Sequence, residues 1–360
     1  MPLGACEPGP RPSLDAPVQV DHDVPLAPLT TLRLGGPART LVRAETREEV
    51  GEALARADAA GERVLVLGGG SNLVLPDAGW DGTVVHIATR GIARTDERVL
   101  VEAGEPWDPL VARTVADGLQ GFECLSGIPG STGATPVQNV GAYGQEIAQT
   151  LLGVRVWDRH TSSERELSPA DCRFGYRSSA LKGQDRLVVL AVAFALVAGP
   201  GSAPIAYAEL ARSLGVPLGA RAPLGDVREA VLTLRRAKGM VLDAGDPDTV
   251  SAGSFFTNPF VSPAVLEEVA RRAGAAPPRF PAEDGRVKTS AAWLIERAGF
   301  SHGTTRGRVS VSSKHTLALT NRGDATTGEL LALAREIRDG VRDSFGIALA
   351  PEPTIVDATL

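Results

Sequence analysis

The chain of 360 residues reads as an α+β protein, a nucleotide-type domain followed by a smaller α/β domain. Three observations predict this. Strand-like and helix-like segments come in blocks, without the strict alternation of a doubly wound parallel sheet. A Gly/Pro/Ala linker, VAGPGSAP at 197–204, separates two blocks. Between 119 and 147 runs LQGFECLSGIPGSTGATPVQNVGAYGQEI, where glycine recurs among Ser, Thr, Gln and Asn with hardly a charge.

Taken in order, the elements begin with a turn-rich entry, LAPLTTLRLGGPA at 26–38. Thr46 and Glu49 form a capping box that opens a helix running to Gly61. The strand RVLVLGG then completes a β–α–β opening that ends in Gly68, Gly69 and Gly70. Strands follow at 83–88 and 99–104, then a helix with Asp108 as N-cap and Pro109 at its first position. After the glycine-rich stretch come a strand at 154–158 and the apolar run LVVLAVAFALVAG at 187–199. Beyond the linker, helical patterns surround IAYAELARSLG and DVREAVLTLRRAKG. Ser262 caps and Pro263 starts a further helix, and SAAWLIERAGF is a short amphipathic helix stopped by Gly299. A strand, VSSKHTLALTN, precedes a helix from about Thr327 to Phe345, opened by Thr326 and Glu329 as a capping box; a strand-like segment, GIALAPEPTIVDA, closes the chain.

Composition narrows the functional classes. The chain is 43% hydrophobic and 22% charged, as ordinary soluble proteins are. Its net charge of -6 provides no basic footprint for nucleic acid. The longest apolar run falls short of the roughly 18 to 20 residues a bilayer needs, and it reads as a buried strand. The first residues carry Pro and acids where a signal peptide has a basic segment and an apolar core, so 1–23 is expected to be a disordered or loosely tethered arm. Cys6, Cys124 and Cys172 are odd in number and form no close pair, against a disulfide framework and against a zinc site; no metal is expected. A reducing cytoplasm fits, with Cys124 as a small buried hydrophobe.

Glycine lets main-chain N–H groups approach a ligand, and a run of such amides makes a concave anion site. The 119–147 stretch is therefore read as a phosphate cradle, with a well-turned surface loop as the alternative. The glycine turn at 68–70 does not fit the dinucleotide fingerprint: Leu73 stands where the third Gly belongs, and no helix follows. A turn that hands Ser71 and Asn72 to a ligand stays open. Three further segments carry chemistry. Arg177, after Tyr176, can hold a carboxylate or phosphate with two parallel hydrogen bonds, or make a surface ion pair. Ser254 in AGSFFTNPF can present its hydroxyl from a constrained turn, or merely close that turn over a Phe255 and Phe256 core; Phe256 excludes a hydrolase elbow. Glu352, between Pro351 and Pro353, is rigidly aimed, as acid, base or anchor, or is simply exposed.

The ordered set GGGSN at 68–72, GIPGSTGATPVQNVGAYGQE at 127–146, CRFGYRSSALK at 172–182, SAGSFFTNP at 251–259, SAAWLIERAG at 290–299 and PEP at 351–353 closely resembles the UDP-N-acetylenolpyruvoylglucosamine reductase family, from about residue 24 to the C-terminus. The resemblance implies an FAD-binding domain of the vanillyl-alcohol oxidase type over 24–200, in two α+β subdomains split near 90. It implies a substrate-binding domain over 201–345 and a segment, 346–360, returning to the active site. FAD would be held without a covalent bond by Leu67, Gly68, Gly69, Gly70, Ser71, Asn72, Ile128, Pro129, Gly130, Thr135, Gln138, Asn139, Gly141, Ala142 and Tyr143. NADPH would reduce it and leave, and UDP-N-acetylglucosamine enolpyruvate would enter the same cleft and be reduced to UDP-N-acetylmuramate for peptidoglycan. Hydride would pass from flavin N5 to the vinyl carbon far from the carboxylate. Arg177 would hold that carboxylate and stabilise the enolate-like charge, Ser254 would donate the quenching proton, and Glu352 would polarise the substrate from the other side. Tyr176, Tyr207, Lys238, Asn258 and His315 correspond to substrate-contacting positions, Lys238 least securely because the segment after it is longer. Thr257 stands where the family has Lys, and Pro353 where it has Val. A cytoplasmic monomer is expected, with no nucleic acid or membrane as partner.

Two other classes compete. An oxidase of the same fold with covalent FAD would want a His or Cys near the flavin methyl group, and the glycine turn has neither. A non-enzymatic flavin or nucleotide binder would be favoured by loss of the Arg, Ser or Glu, and all three are present.

Overall fold

The computed structural model describes residues 19–282 and 284–360. The arm expected over 1–23, and Cys6 with it, lies outside the described residues as far as residue 18. Gln19–Pro25 is a strand at the edge of a sheet, so the arm ends earlier than its composition suggested. The chain forms two units. One contains 37–70, 80–236 and the described residues up to 24; the other contains 25–36, 71–79 and 237–360.

The first unit carries a four-stranded sheet in the order Gln19–Pro25, Pro37–Ala44, Trp80–Ile87, Val64–Leu67. Pro37–Ala44 and Val64–Leu67 both run parallel to Trp80–Ile87, and helix Arg47–Ala59 is the crossover between them. Only half of the expected capping box forms at that helix. Thr46 accepts from the Glu49 N–H at 3.1 Å, while the Glu49 carboxylate turns to the Glu45 N–H at 2.6 Å.

The second sheet of this unit is antiparallel, in the order Ser163–Leu167, Leu151–Asp158, Leu187–Ala195, Arg98–Glu102, Ile92–Thr95. The apolar run is its central strand, buried on both faces, which is why it reads as continuous rather than alternating. Helix Trp107–Ala116 sets Trp107 against Phe122, ring centroids 4.8 Å apart, and Phe122 edge-on to Phe194 at 4.9 Å. This helix starts one residue before the expected Asp108 cap. Asp108 instead accepts from the Gly127 N–H at 2.6 Å and from both Arg228 terminal nitrogens at 2.7 and 2.9 Å. That ion pair brings in the later helices Ala208–Leu214 and Leu224–Ala237, whose Leu210, Val227 and Val231 pack with Cys124 and Ile205. The break therefore follows Arg236, although the linker composition placed it at 201.

The second unit is built on an antiparallel sheet, Ser251–Ser254, Ala318–Asn321, Val309–Val311, Thr305–Arg306, covered by helices Ala291–Arg297 and Thr327–Phe345. The capping box of Thr326 and Glu329 is complete on both sides. Two segments from the chain's first quarter belong here: Leu32, Leu34 and Val74 share a core with Leu330, Ile337 and Val341. Gly36 is required there, since a Cβ would stand 2.2 Å from the Asp77 carbonyl oxygen. Asp77 in turn accepts from the Thr327 and Gly328 N–H groups at 2.7 and 3.0 Å, a carboxylate at the positive end of the long helix. The continuous strand expected over 311–321 is a hairpin instead, because 312–317 turns the chain between its paired edges. At the C-terminus only Thr354–Ile355 is a strand, parallel to Leu73–Val74; the prolines flanking Glu352 restrict the rest.

Candidate functional site

In the first unit the glycine turn meets the glycine-rich stretch. A Cβ on Gly69 would lie 2.6 Å from Gly130 Cα, and one on Gly68 would lie 2.5 Å from Ser131 Oγ. Only glycine lets these two loops approach so closely. Leu67 ends the preceding strand fully buried, and Gly70 has φ 59°. Ile128, Pro129 and Gly130 are half-buried, and Thr135 is buried with its hydroxyl donating to the Thr132 carbonyl at 2.8 Å. Both carboxylates of the stretch are engaged by protein donors: Glu123 by the Gly121 and Ala203 N–H groups, Glu146 by Asn139. From 127 to 144 the stretch carries no charged side chain, and its polar groups are main-chain amides, hydroxyls and carboxamides. That donor set and the glycine-lined approach fit the pyrophosphate of a flavin nucleotide.

The Arg177 turn is stitched to the far end of the same stretch. Asn139 is buried and spends its side chain within the protein: Oδ1 accepts from Ala148 N–H at 3.0 Å, and Nδ2 donates to Glu146 and to the Gly175 carbonyl at 2.9 and 3.2 Å. Lys182 donates to the Gln138 side chain at 3.4 Å and to the Arg177 carbonyl at 3.2 Å. Arg177 Nη2 donates to the Gly141 carbonyl at 2.7 Å, and its guanidinium lies 5.4 Å from the Tyr176 ring centre. A Cβ on Gly141 would come within 3.2 Å of Arg177 Nη1. Asn139, Tyr143 and Arg177 all have left-handed backbones, with φ of 46°, 49° and 52°. Such conformations are costly for residues with a Cβ and collect at functional sites.

Tyr143, next to Ala142, meets Tyr207 edge-on with ring centres 5.4 Å apart. Burial pushes the Tyr143 phenol up to about 12. Sequence reading missed Arg235, which lies on the buried face of Leu224–Ala237 with Leu224, Val227 and Val231. Burial brings its guanidinium down to about 10; Tyr143 and Asp108 favour its charge and Arg177 opposes it. An arginine at a core position of an amphipathic helix is a signal the spacing offered.

In the second unit the structure brings Ser254 and Glu352 together. Glu352 N–H donates to the Phe255 carbonyl at 2.8 Å, Phe256 and Pro351 form a bridge, and Thr257 N–H donates to the Ala350 carbonyl at 3.0 Å. A bulge between Ser251 and Ser254, at Gly253 with φ 70°, turns Ser254 relative to the regular pleat. Both side chains are half-buried. Asn72 Nδ2 lies 3.4 Å from the Glu352 carbonyl, and the Asn72 carbonyl accepts from Thr354 N–H at 3.0 Å. The Ser71 carbonyl accepts from Thr31 at 3.5 Å. His315 joins through its carbonyl, which accepts from Ala318, the register partner of Ser254. Asn258 accepts from the Ala291 N–H at 2.9 Å, at the start of helix Ala291–Arg297. Lys238 is half-buried beside Gly239, where a Cβ would stand 2.9 Å from Asp248 Cβ.

Among the described residues no group of His, Cys, Asp and Glu could hold a metal ion, and no helix is long and apolar enough to cross a membrane.

Residues 38–165 match the family model of an FAD binding domain. Residues 246–356 match that of the UDP-N-acetylenolpyruvoylglucosamine reductase C-terminal domain. The chain is 58% identical over 349 residues to the UDP-N-acetylenolpyruvoylglucosamine reductase of Saccharopolyspora erythraea, covering 93% of this chain and 95% of that protein. It is 56% identical over 352 residues to the Streptomyces coelicolor enzyme of that name, covering 96% and 92%. The crystal structure of UDP-N-acetylenolpyruvylglucosamine reductase from Thermus caldophilus aligns with TM-score 0.63 and 26% identity over 94% of this chain and 98% of that one. The expected fold class is therefore the observed one: an α+β chain with an FAD-binding domain and a smaller C-terminal domain.

Proposed function

The chain belongs to the UDP-N-acetylenolpyruvoylglucosamine reductase family, and from this premise we propose how its residues divide the work. It is an FAD-dependent oxidoreductase that reduces UDP-N-acetylglucosamine enolpyruvate to UDP-N-acetylmuramate in peptidoglycan precursor synthesis. NADPH is the reductant in our reading, and the enzyme works as a cytoplasmic monomer. Bound FAD supplies the hydride chemistry. The loops at 67–72 and 128–143 would hold it without a covalent bond, their main-chain amides offering donors to a pyrophosphate. Asn139 serves this pocket indirectly, by fixing the loop.

Arg177 binds the substrate carboxylate through two N–H groups and stabilises the negative charge that develops there. Ser254 Oγ gives the proton that completes reduction, and Glu352 polarises the substrate. Tyr176, Tyr207, Lys238, Asn258 and His315 line the substrate path. The observation that supports this reading most directly is the main-chain tie between Phe255 and Glu352, which keeps a hydroxyl and a carboxylate at neighbouring positions although about a hundred residues separate them. The test is a visible spectrum of the purified protein. NADPH should bleach its flavin bands, and the enolpyruvyl nucleotide should restore them under anaerobic conditions. A flavin that is not reoxidised by the nucleotide would refute the assignment, and yellow colour retained by acid-precipitated protein would refute the non-covalent attachment.

A further inference from the structure

Glu123 is fully buried, and the chemistry above makes no use of it. Its two carboxylate oxygens take different partners. Oε2 accepts from the Gly121 N–H at 2.6 Å, inside the glycine-rich stretch; Oε1 accepts from the Ala203 N–H at 2.8 Å, 80 residues later. Ala203 belongs to a strap, 202–207, that leads to Tyr207. The strap is held at further points: the Ile205 N–H donates to the Ala220 carbonyl at 2.8 Å and its carbonyl accepts from the Gly219 N–H at 2.9 Å. Arg221 donates to the Ser202 carbonyl at 2.6 Å and to Gln120 at 3.0 Å, and Ala206 Cβ sits where a side chain on Gly144 would come within 3.0 Å. The strap thus lies against the Tyr143–Gly144 turn, and Tyr207 ends it edge-on to Tyr143.

We propose that Glu123 is a positioning residue for the nucleotide substrate: its buried carboxylate joins the glycine-rich loop to the strap and so holds Tyr207 where substrate needs it. This rests on the reading of Tyr207 as a substrate contact. The charge matters physically. A carboxylate can accept from both main-chain donors, whereas an amide offers one oxygen and would set its NH2 against the other N–H. Tyr207 is 42% exposed; Ile205, buried two residues before it, anchors the strap from one side and the tie at Ala203 holds it to the glycine-rich loop from the other.

The test compares Glu123→Gln, Tyr207→Ala and the double variant as full-length holoenzymes. Glu123→Gln should raise the substrate KM about tenfold, change kcat and the NADPH reduction rate of FAD less than about twofold, and lose exchange protection at the Ala203 amide. In the Tyr207→Ala background the same change should alter KM less than about twofold. An unchanged KM for Glu123→Gln, or an effect that persists undiminished without Tyr207, overturns the positioning role. An unchanged KM for Tyr207→Ala alone instead overturns the reading of Tyr207 on which the proposal stands. If Glu123→Gln sheds FAD or unfolds, Arg221→Gln decides, because it loosens the strap from the other side. A KM raised about threefold with kcat intact supports the proposal, and an unchanged KM ends it.

Discussion

Glu352 and Phe255 are joined by a main-chain hydrogen bond of 2.8 Å, and Ser254 is the residue just before Phe255. The hydroxyl and the carboxylate thus sit on two adjoining backbones. If Ser254 is the proton donor, Ser254→Ala should bind FAD and be reduced by NADPH as the parent is, while turnover falls by on the order of a hundredfold. Stopped-flow reduction and steady-state turnover check the two halves separately. Turnover near the parent value would remove Ser254 from proton transfer.

Arg177 combines a left-handed backbone with a guanidinium that reaches the Gly141 carbonyl. Lysine keeps the charge but loses the fork. Arg177→Lys should raise the substrate KM and lower kcat, each by roughly tenfold or more. Anaerobic titration of the oxidised enzyme with the nucleotide measures the binding part; parent-like affinity and rate would place the residue outside the site.

The glycine turn gives a contrast between two identical substitutions. Gly69→Ala would put a Cβ 2.6 Å from Gly130 Cα, a main-chain atom that cannot step aside, so this variant should purify with little FAD and a lowered melting temperature. Gly225→Ala meets nothing within 4 Å in the first turn of its helix and should stabilise by about 0.4–1 kcal/mol. Absorbance at the flavin maximum and thermal melts are sufficient readouts, and a Gly69→Ala protein that purifies with a full complement of FAD would contradict the cradle.

Asp158 supplies a pH signature. Its buried carboxylate accepts from Arg186 Nε and Nη2 and from Arg165 Nη1, and these bonds, Arg186 first, hold it well below the usual carboxylate range. A lowered carboxyl contributes stability that is complete above its unfolded value of about 4 and is lost as pH falls below it. Asp158→Asn should therefore lower the urea midpoint at neutral pH and lose less than the parent between about pH 5 and pH 3. Equal acid slopes for the two proteins would show that another group governs acid unfolding.

The sequence disclosed the elements whose signals are local. The Thr326 box, the Ser262 cap and the apolar strand at 187 depend on neighbours within a few residues, and they stand where the spacing put them. Asp108 was misread because Asp before Pro looks like a cap, whereas its partner, Arg228, is 120 residues away. The boundary at 201 failed for the same reason: linker composition is local, and the packing of Leu210 and Val227 with Cys124 is not. Of the site, the family resemblance supplied the chemical residues. It could not reveal that Asn139 spends its amide inside the protein, or that Arg235 is buried near Arg177, since both depend on tertiary contacts.

Leu32, Leu34 and Val74 complete a core whose other members come from beyond residue 250. On the ribosome, everything the first unit needs has been synthesised once 236 is made, while these early leucines and the valine must wait for a helix near the end of the chain. The nascent protein therefore carries two sticky segments through most of its synthesis. A truncation after 236 would leave them without a partner permanently, so the flavin half should be expressed only as part of the whole chain.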